Sequence, residues 1–161
     1  MNWIDDTQKA INFIENNLLE NINADDISTH IHSSTDYFRR TFNIVTGLSI
    51  SEYIRNRRLT LAGEELKNTQ AKVIDVSMKY GYDSPDSFTK AFTRFHGVTP
   101  TTARESEILK YFYPLSINVF IKGGFGMERR IIPNIPEVEY DGNEVAYIFS
   151  LLLREREMKR S

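Results

Sequence analysis

Cysteine is absent from this chain of 161 residues, which excludes disulfides and thiolate metal sites. A long apolar run is missing too. The most apolar stretch, Tyr147 to Leu153, is far shorter than the ~20 residues that cross a bilayer. Met1 to Asp6 lack a basic segment leading into an apolar core, so no signal peptide is expected and a cytoplasmic protein is. Nor is there an excess of positive charge: 20 Lys+Arg face 22 Asp+Glu, for a net charge of −2 and a pI near 5.9. A chain of this length is expected to form one domain, or one domain and a fragment, with enough residues for a core.

The signatures of enzymes are missing as well. No P-loop, nucleophile elbow or dinucleotide fingerprint occurs, and the pair Gly123-Gly124 follows a candidate strand without a helix behind it. His30 and His32 are two apart, so on a helix they diverge and cannot share a metal. Asp25-Asp26 and Glu64-Glu65 are adjacent and diverge likewise, better read as a helix start and an exposed face. His96 ends a helical run, where a cation would suit the helix dipole. The residues therefore predict no enzyme, no cofactor and no metal.

What is present centres on Val73 to Arg104. A short apolar-periodic run (Val73, Val76, Ser77, Tyr80) breaks at Gly81, and a second begins at Ser84-Pro85-Asp86. Serine suits the N-cap, proline the first helical position, and an acidic residue the first turn. Gly97 is placed for a left-handed C-terminus, with Pro100 blocking any continuation. Phe88, Phe92 and Phe95 make one stripe, while Thr89, Lys90, Thr93 and Arg94 face away. Two short helices, a glycine-bearing turn and a partly basic outer face describe a helix-turn-helix. The plainer reading is a helical hairpin with a solvated face.

The same design occurs earlier in the chain. Thr7 to Glu20 reads as an amphipathic helix, and Asn23 caps a short one carrying Asp25, Asp26, Ile27 and Ile31. After a break at His32-Ser33, Ser34 opens a helix with Phe38, Phe42 and Val45 inward, ending at Gly47. Its outer face carries Asp36, Arg39, Arg40 and Asn43. Between the two units lies Ser49 to Thr69, opening with a Ser49–Glu52 capping box and burying Ile50, Ile54, Leu61, Ala62 and Leu66. About 20 residues at 1.5 Å each give a strut of about 30 Å. Successive major grooves on one face of B-DNA are about 34 Å apart, so one rigid helix could hold two readers in adjacent grooves.

The runs FRRTFNIVTGLSISEYIRNRRLTLAGEEL and VSMKYGYDSPDSFTKAFTRFHGVTPTTAR resemble, in order and spacing, the DNA-binding domain of AraC/XylS bacterial transcriptional regulators. The resemblance implies a mainly α, seven-helix domain over 7–106 in which two helix-turn-helix units are joined by a linker helix. Carried over by position, it puts base-reading roles on Asp36, Arg39 and Arg40, and on Asp86, Thr89 and Lys90. Phosphate contacts would fall to Arg55, Arg58 and Arg94. Ser34, Gly47, Ser49, Glu52, Gly81, Ser84 and Gly97 would be caps and turns. Double-stranded DNA is the implied partner, and activation through RNA polymerase the implied output. Two positions depart from the pattern: His32 stands where glycine is usual, and Ser77 where alanine is. The acidic balance tempers the expectation, since DNA-binding domains are usually basic. Residues 1–105 hold 12 Lys+Arg and 14 Asp+Glu, so non-specific binding should be weak and salt-sensitive. A protein-interaction adaptor of the same fold is the competing reading.

Beyond residue 106 the pattern changes, and 107–161 is expected to be a small α+β tail. Leu115, Ile117, Val119 and Ile121 alternate as in a half-buried strand, Met127 to Ile132 suggest a second, and Val145, Phe149 and Leu152 a closing helix. The run PLSINVFIKGGFGMERRI resembles the entry to a GyrI-like effector-binding domain, here as a truncated or vestigial sensor. Its apolar strand needs a cover, from the helical part or from a second copy in a homodimer.

Overall fold

A computed structural model of the protein describes residues 3–106 and 108–117. Six helices follow in order: α1 (Trp3–Asn16), α2 (Ala24–His30), α3 (Thr35–Thr46), α4 (Ile50–Asn68), α5 (Val73–Lys79) and α6 (Pro85–His96). No strand occurs among the described residues.

Local chemistry sets most of the boundaries. Asn23 and Asp26 form a complete capping box at α2, with Asn23 N–H donating to Asp26 Oδ2 at 2.9 Å. Ser34, Ser49 and Ser84 each accept a first-turn amide at α3, α4 and α6. At Ser49 the bond comes from Glu52 N–H at 3.2 Å, the serine half of the expected box. Gly47 and Gly97 end α3 and α6 in the left-handed conformation, at φ 70° and 79°. α1 stops earlier than the apolar pattern suggests. Asn17 N–H turns back to Ile14 O at 3.0 Å, and its side chain donates to Phe13 O at 2.7 Å, tightening the final turn.

Two cores lie side by side along α4. The first gathers Ile11 and Ile14 of α1, Ile27, Phe38 and Phe42 with Ile50 and Tyr53 of α4. The second gathers Leu59, Ala62 and Leu66 of α4 with Val76, Tyr80, Phe88, Phe92 and Ala103. Tyr53, Arg57, Leu59, Ala62 and Gly63 are all buried, so α4 is enclosed on more than one side.

The chain after α6 departs from expectation in two ways. The seventh helix does not form: 100–105 is a run of turns, with Thr102 N–H bonding to Thr99 O and Glu105 N–H to Thr102 O. Residues 108–117 are non-helical, because their backbone donors are taken by other elements. Phe112 N–H goes to Thr60 Oγ1 at 3.1 Å, Leu115 N–H to the Tyr53 hydroxyl at 3.3 Å, and Ile117 N–H to Gln8 Oε1 at 2.9 Å. Phe112, Leu115 and Ile117 pack on the first core and Leu109 on the second, so this stretch straps across α4. Up to Ile117, the helical part supplies the cover that the apolar alternation asks for. The expected strand continuation at Val119 and Ile121, the second strand at Met127 to Ile132 and the helix around Val145, Phe149 and Leu152 lie outside the described residues.

Candidate nucleic-acid interface

Two equivalent units frame the site. In the first turn, His32 N–H bonds to Thr29 O at 3.1 Å and Ser33 N–H to Ser28 O at 2.9 Å. In the second, Gly81 N–H bonds to Met78 O at 3.1 Å and Tyr82 N–H to Ser77 O at 3.0 Å. His32 adopts φ 54°, so it takes the left-handed role that Gly81 fills at φ 81°. Ser77, fully buried, satisfies its hydroxyl on Ile74 O at 2.8 Å and so is tolerated where alanine is usual.

The second helices correspond position by position. Both run 12 residues from a serine cap to a left-handed glycine. Counted from the cap, Asp36 corresponds to Asp86, Arg39 to Thr89, and Arg40 to Lys90. Asp36, Arg39, Arg40 and Asn43 are exposed on α3; Asp86, Lys90 and Arg94 are exposed on α6, with Thr89 and Thr93 half-buried. Beneath them sit edge-to-face or tilted ring pairs, Phe38 with Phe42 at 5.6 Å and Phe88 with Phe92 at 5.4 Å. These pin the inner faces, so the outer faces are fixed in orientation. Arg39 and Asn43 also line an open cleft of about 390 Å³ with Ser49, Ser51 and Ile54 at the start of α4.

The three arginines of α4 have separate fates. Arg55 is exposed. Arg57 is buried, and its guanidinium grips Glu15 of α1, with Nε 2.9 Å from Oε1 and Nη2 3.0 Å from Oε2. Tyr53 hydroxyl donates to the same carboxylate at 2.6 Å, and Arg57 Nη1 donates to Phe112 O. Burial, then the Glu15 contact, pushes the Tyr53 hydroxyl's pKa well above its ordinary value. Arg58, expected to meet phosphate, instead donates from Nε to Leu18 O and from Nη2 to Glu20 O, both at 2.7 Å. Sequence reasoning saw the arginine cluster but not these bonds, because their partners are 38 to 42 residues away.

His96 is likewise not the helix-end cation that its position suggests. Its ring is buried and its Nε2 lies 2.9 Å from Leu59 O, which can only accept, so Nε2 carries the proton. Nδ1 is buried without a partner among the described residues. Burial lowers the imidazole's pKa, and Lys110 adds to the effect against the Leu59 bond. Among the described residues, no group of three or more His, Asp or Glu side chains is placed to hold a metal. No described helix is long and apolar enough to cross a membrane.

The comparisons with known proteins fall on this region. A family model described as a helix-turn-helix domain matches residues 27–106. The transcriptional activator AarP of Providencia stuartii is 38% identical over 95 residues, 59% of this chain and 70% of AarP. The regulatory protein SoxS of Salmonella typhimurium is 35% identical over 97 residues, 60% of this chain and 91% of SoxS. This chain belongs to the AraC-type helix-turn-helix family of transcriptional regulators. An AraC-type regulator from Chromobacterium violaceum shares the fold at 24% identity, with a TM-score of 0.60 over 63% of this chain and 90% of that one. The DNA-binding domain of AdpA, solved with its target DNA, shares it at 21% identity and a TM-score of 0.57, over 62% of this chain and 89% of that one. The family match ends at residue 106, and a GyrI-like origin for the tail gains no support from these relatives.

Proposed function

We propose that this DNA-binding transcriptional regulator reads its operator with α3 and α6, placed in adjacent major grooves by α4. The observation that carries the reading is the pairing of two 12-residue helices, both serine-capped and both exposing polar side chains at the equivalent positions Asp36/Asp86 and Arg40/Lys90, against one shared 19-residue helix. At 1.5 Å per residue that helix is about 28 Å long, close to the ~34 Å between successive grooves. Asp36, Arg39 and Arg40 read bases in one groove; Asp86, Thr89 and Lys90 read them in the other. Arg55 and Arg94 contact phosphates. Residues 7–106 form the DNA-binding domain and 107–161 a tail.

A DNA target places the site of action in the cytoplasm. AarP is named as an activator, which favours activation here, through contact with RNA polymerase. Selection from a random duplex pool tests the reading. Two boxes with centres about 10 base pairs apart should be enriched. Absence of enrichment even at low salt would instead support a protein-interaction adaptor of the same fold.

A further inference from the structure

Arg58 sits where three parts of the molecule meet. It projects from α4, which serves both cores. Its Nε and Nη2 each donate, at 2.7 Å, to the carbonyls of Leu18 and Glu20 in the connection between α1 and α2. Those carbonyls lie just past the end of α1, and Glu20 O also accepts from Ile22 N–H at 2.9 Å, so the guanidinium is anchored to a turn that is itself hydrogen-bonded. On its other side, Nη1 lies 2.8 Å from the point a Cβ on Gly81 would occupy, in the turn of the second unit. One guanidinium is therefore held by the first unit and pressed against the second.

We infer that Arg58 is a positioning residue that fixes the spacing and rotation between the two recognition helices, and thereby the separation of boxes that the protein accepts. Tilting α5 and α6 about α4 drives Gly81 into the guanidinium or pulls it from its two carbonyls. Lysine cannot substitute, because a single ammonium lacks the rigid fork that reaches two acceptors at once. Gly81 is required twice over, for its φ of 81° and for the space that Arg58 fills. This inference rests on the two-groove reading above.

The experiment measures affinity for a selected two-box duplex, for the same duplex with one base pair inserted between the boxes, and for a single-box duplex. One inserted pair shifts and rotates the second box by about a tenth of a turn, and the wild-type protein should lose roughly tenfold in affinity or more. Arg58→Lys should bind the single box as the wild type does, but lose less than roughly threefold on insertion. Arg58→Gln should behave like Arg58→Lys and keep the wild-type salt slope. A phosphate contact predicts the opposite: Arg58→Lys unchanged, and Arg58→Gln with a slope smaller by about 0.9. That outcome, or a wild-type insertion penalty in both variants, overturns the inference. If either Arg58 variant fails to fold, Gly81→Ala crowds the same guanidinium from the other side and must also change the insertion penalty; an unchanged penalty overturns the inference. A wild-type protein that binds one box as tightly as two overturns the two-groove reading itself.

Discussion

At the scale of single residues, function and stability are assigned to different side chains of the same type. Arg40 is exposed on α3, whereas Arg57 is buried against Glu15. Arg40→Ala and Lys90→Ala should each weaken binding to the selected operator by about 1–3 kcal/mol and relax base preference, with far-UV dichroism unchanged. Unchanged affinity and preference in a titration would remove those assignments. Glycines separate in the same way. Gly81→Ala meets both a left-handed φ and the Arg58 guanidinium, while at Gly97 nothing lies within 4 Å of an added Cβ. Denaturant midpoints should therefore place Gly81→Ala below Gly97→Ala, each destabilised by at least about 1 kcal/mol. His96 gives the fold a pH dependence. Its folded pKa lies below the unfolded value of about 6.5, so its contribution is complete above that pH. As pH falls below 6.5 the unfolded chain takes up a proton that the folded one refuses, and stability declines until the folded pKa is passed. Urea midpoints at about pH 7.5 and 5.5 should differ more in the wild type than in His96→Gln.

At the scale of elements, α4 is the part on which the others depend. A helix that feeds two cores cannot keep one polar side along its whole length, and its buried charge, Arg57, must be matched. Arg57 is 5% exposed at its side chain and Glu15 is 20% exposed. Glu15→Ala leaves that guanidinium without its carboxylate, and should cost about 3 kcal/mol by chemical denaturation. It should also loosen the strap at Phe112, which the same arginine holds through its carbonyl. The caps are smaller terms. Ser34→Ala and Ser84→Ala each remove one acceptor for a first-turn amide and should cost about 1 kcal/mol, with the loss of DNA affinity confined to the helix concerned. At the far end of α4, Glu65 accepts from Lys79 at 2.7 Å and from the Tyr80 hydroxyl at 2.9 Å. Burial opposes ionisation of Glu65, yet these two donors outweigh it and hold its pKa below the usual carboxylate value, tying α5 to α4.

At the scale of the whole molecule, the net charge of −2 limits general attraction to DNA. Binding to random duplex should be weak at physiological salt, and specific binding should fall with salt along a slope of about 0.9 per phosphate contacted, so the two contacts of Arg55 and Arg94 alone amount to about a tenfold loss between about 50 and 200 mM. A slope near zero would remove the phosphate roles of Arg55 and Arg94. Helix existence and the polar outer faces were legible in the sequence because they follow from neighbours within one turn: Ser34, Ser84 and Asn23 as caps, Gly47 and Gly97 as stops, and the spacing of Phe38 with Phe42 and Phe88 with Phe92. Even the strain at His32 could be anticipated from its position in the turn. Long-range pairing could not. Which arginine of α4 meets solvent, which meets Glu15 and which meets two backbone carbonyls depends on how α1 crosses α4, and Arg55, Arg57 and Arg58 look alike in one dimension. The same holds for His96, a cation by position but a neutral ring once Leu59 and Phe92 enclose it. Alternation from Leu115 suggested a strand, yet Thr60, Tyr53 and Gln8 take the amides of Phe112, Leu115 and Ile117. Local propensity decides an element when its hydrogen bonds close within the element; tertiary structure decides wherever the donors and charges find partners far along the chain.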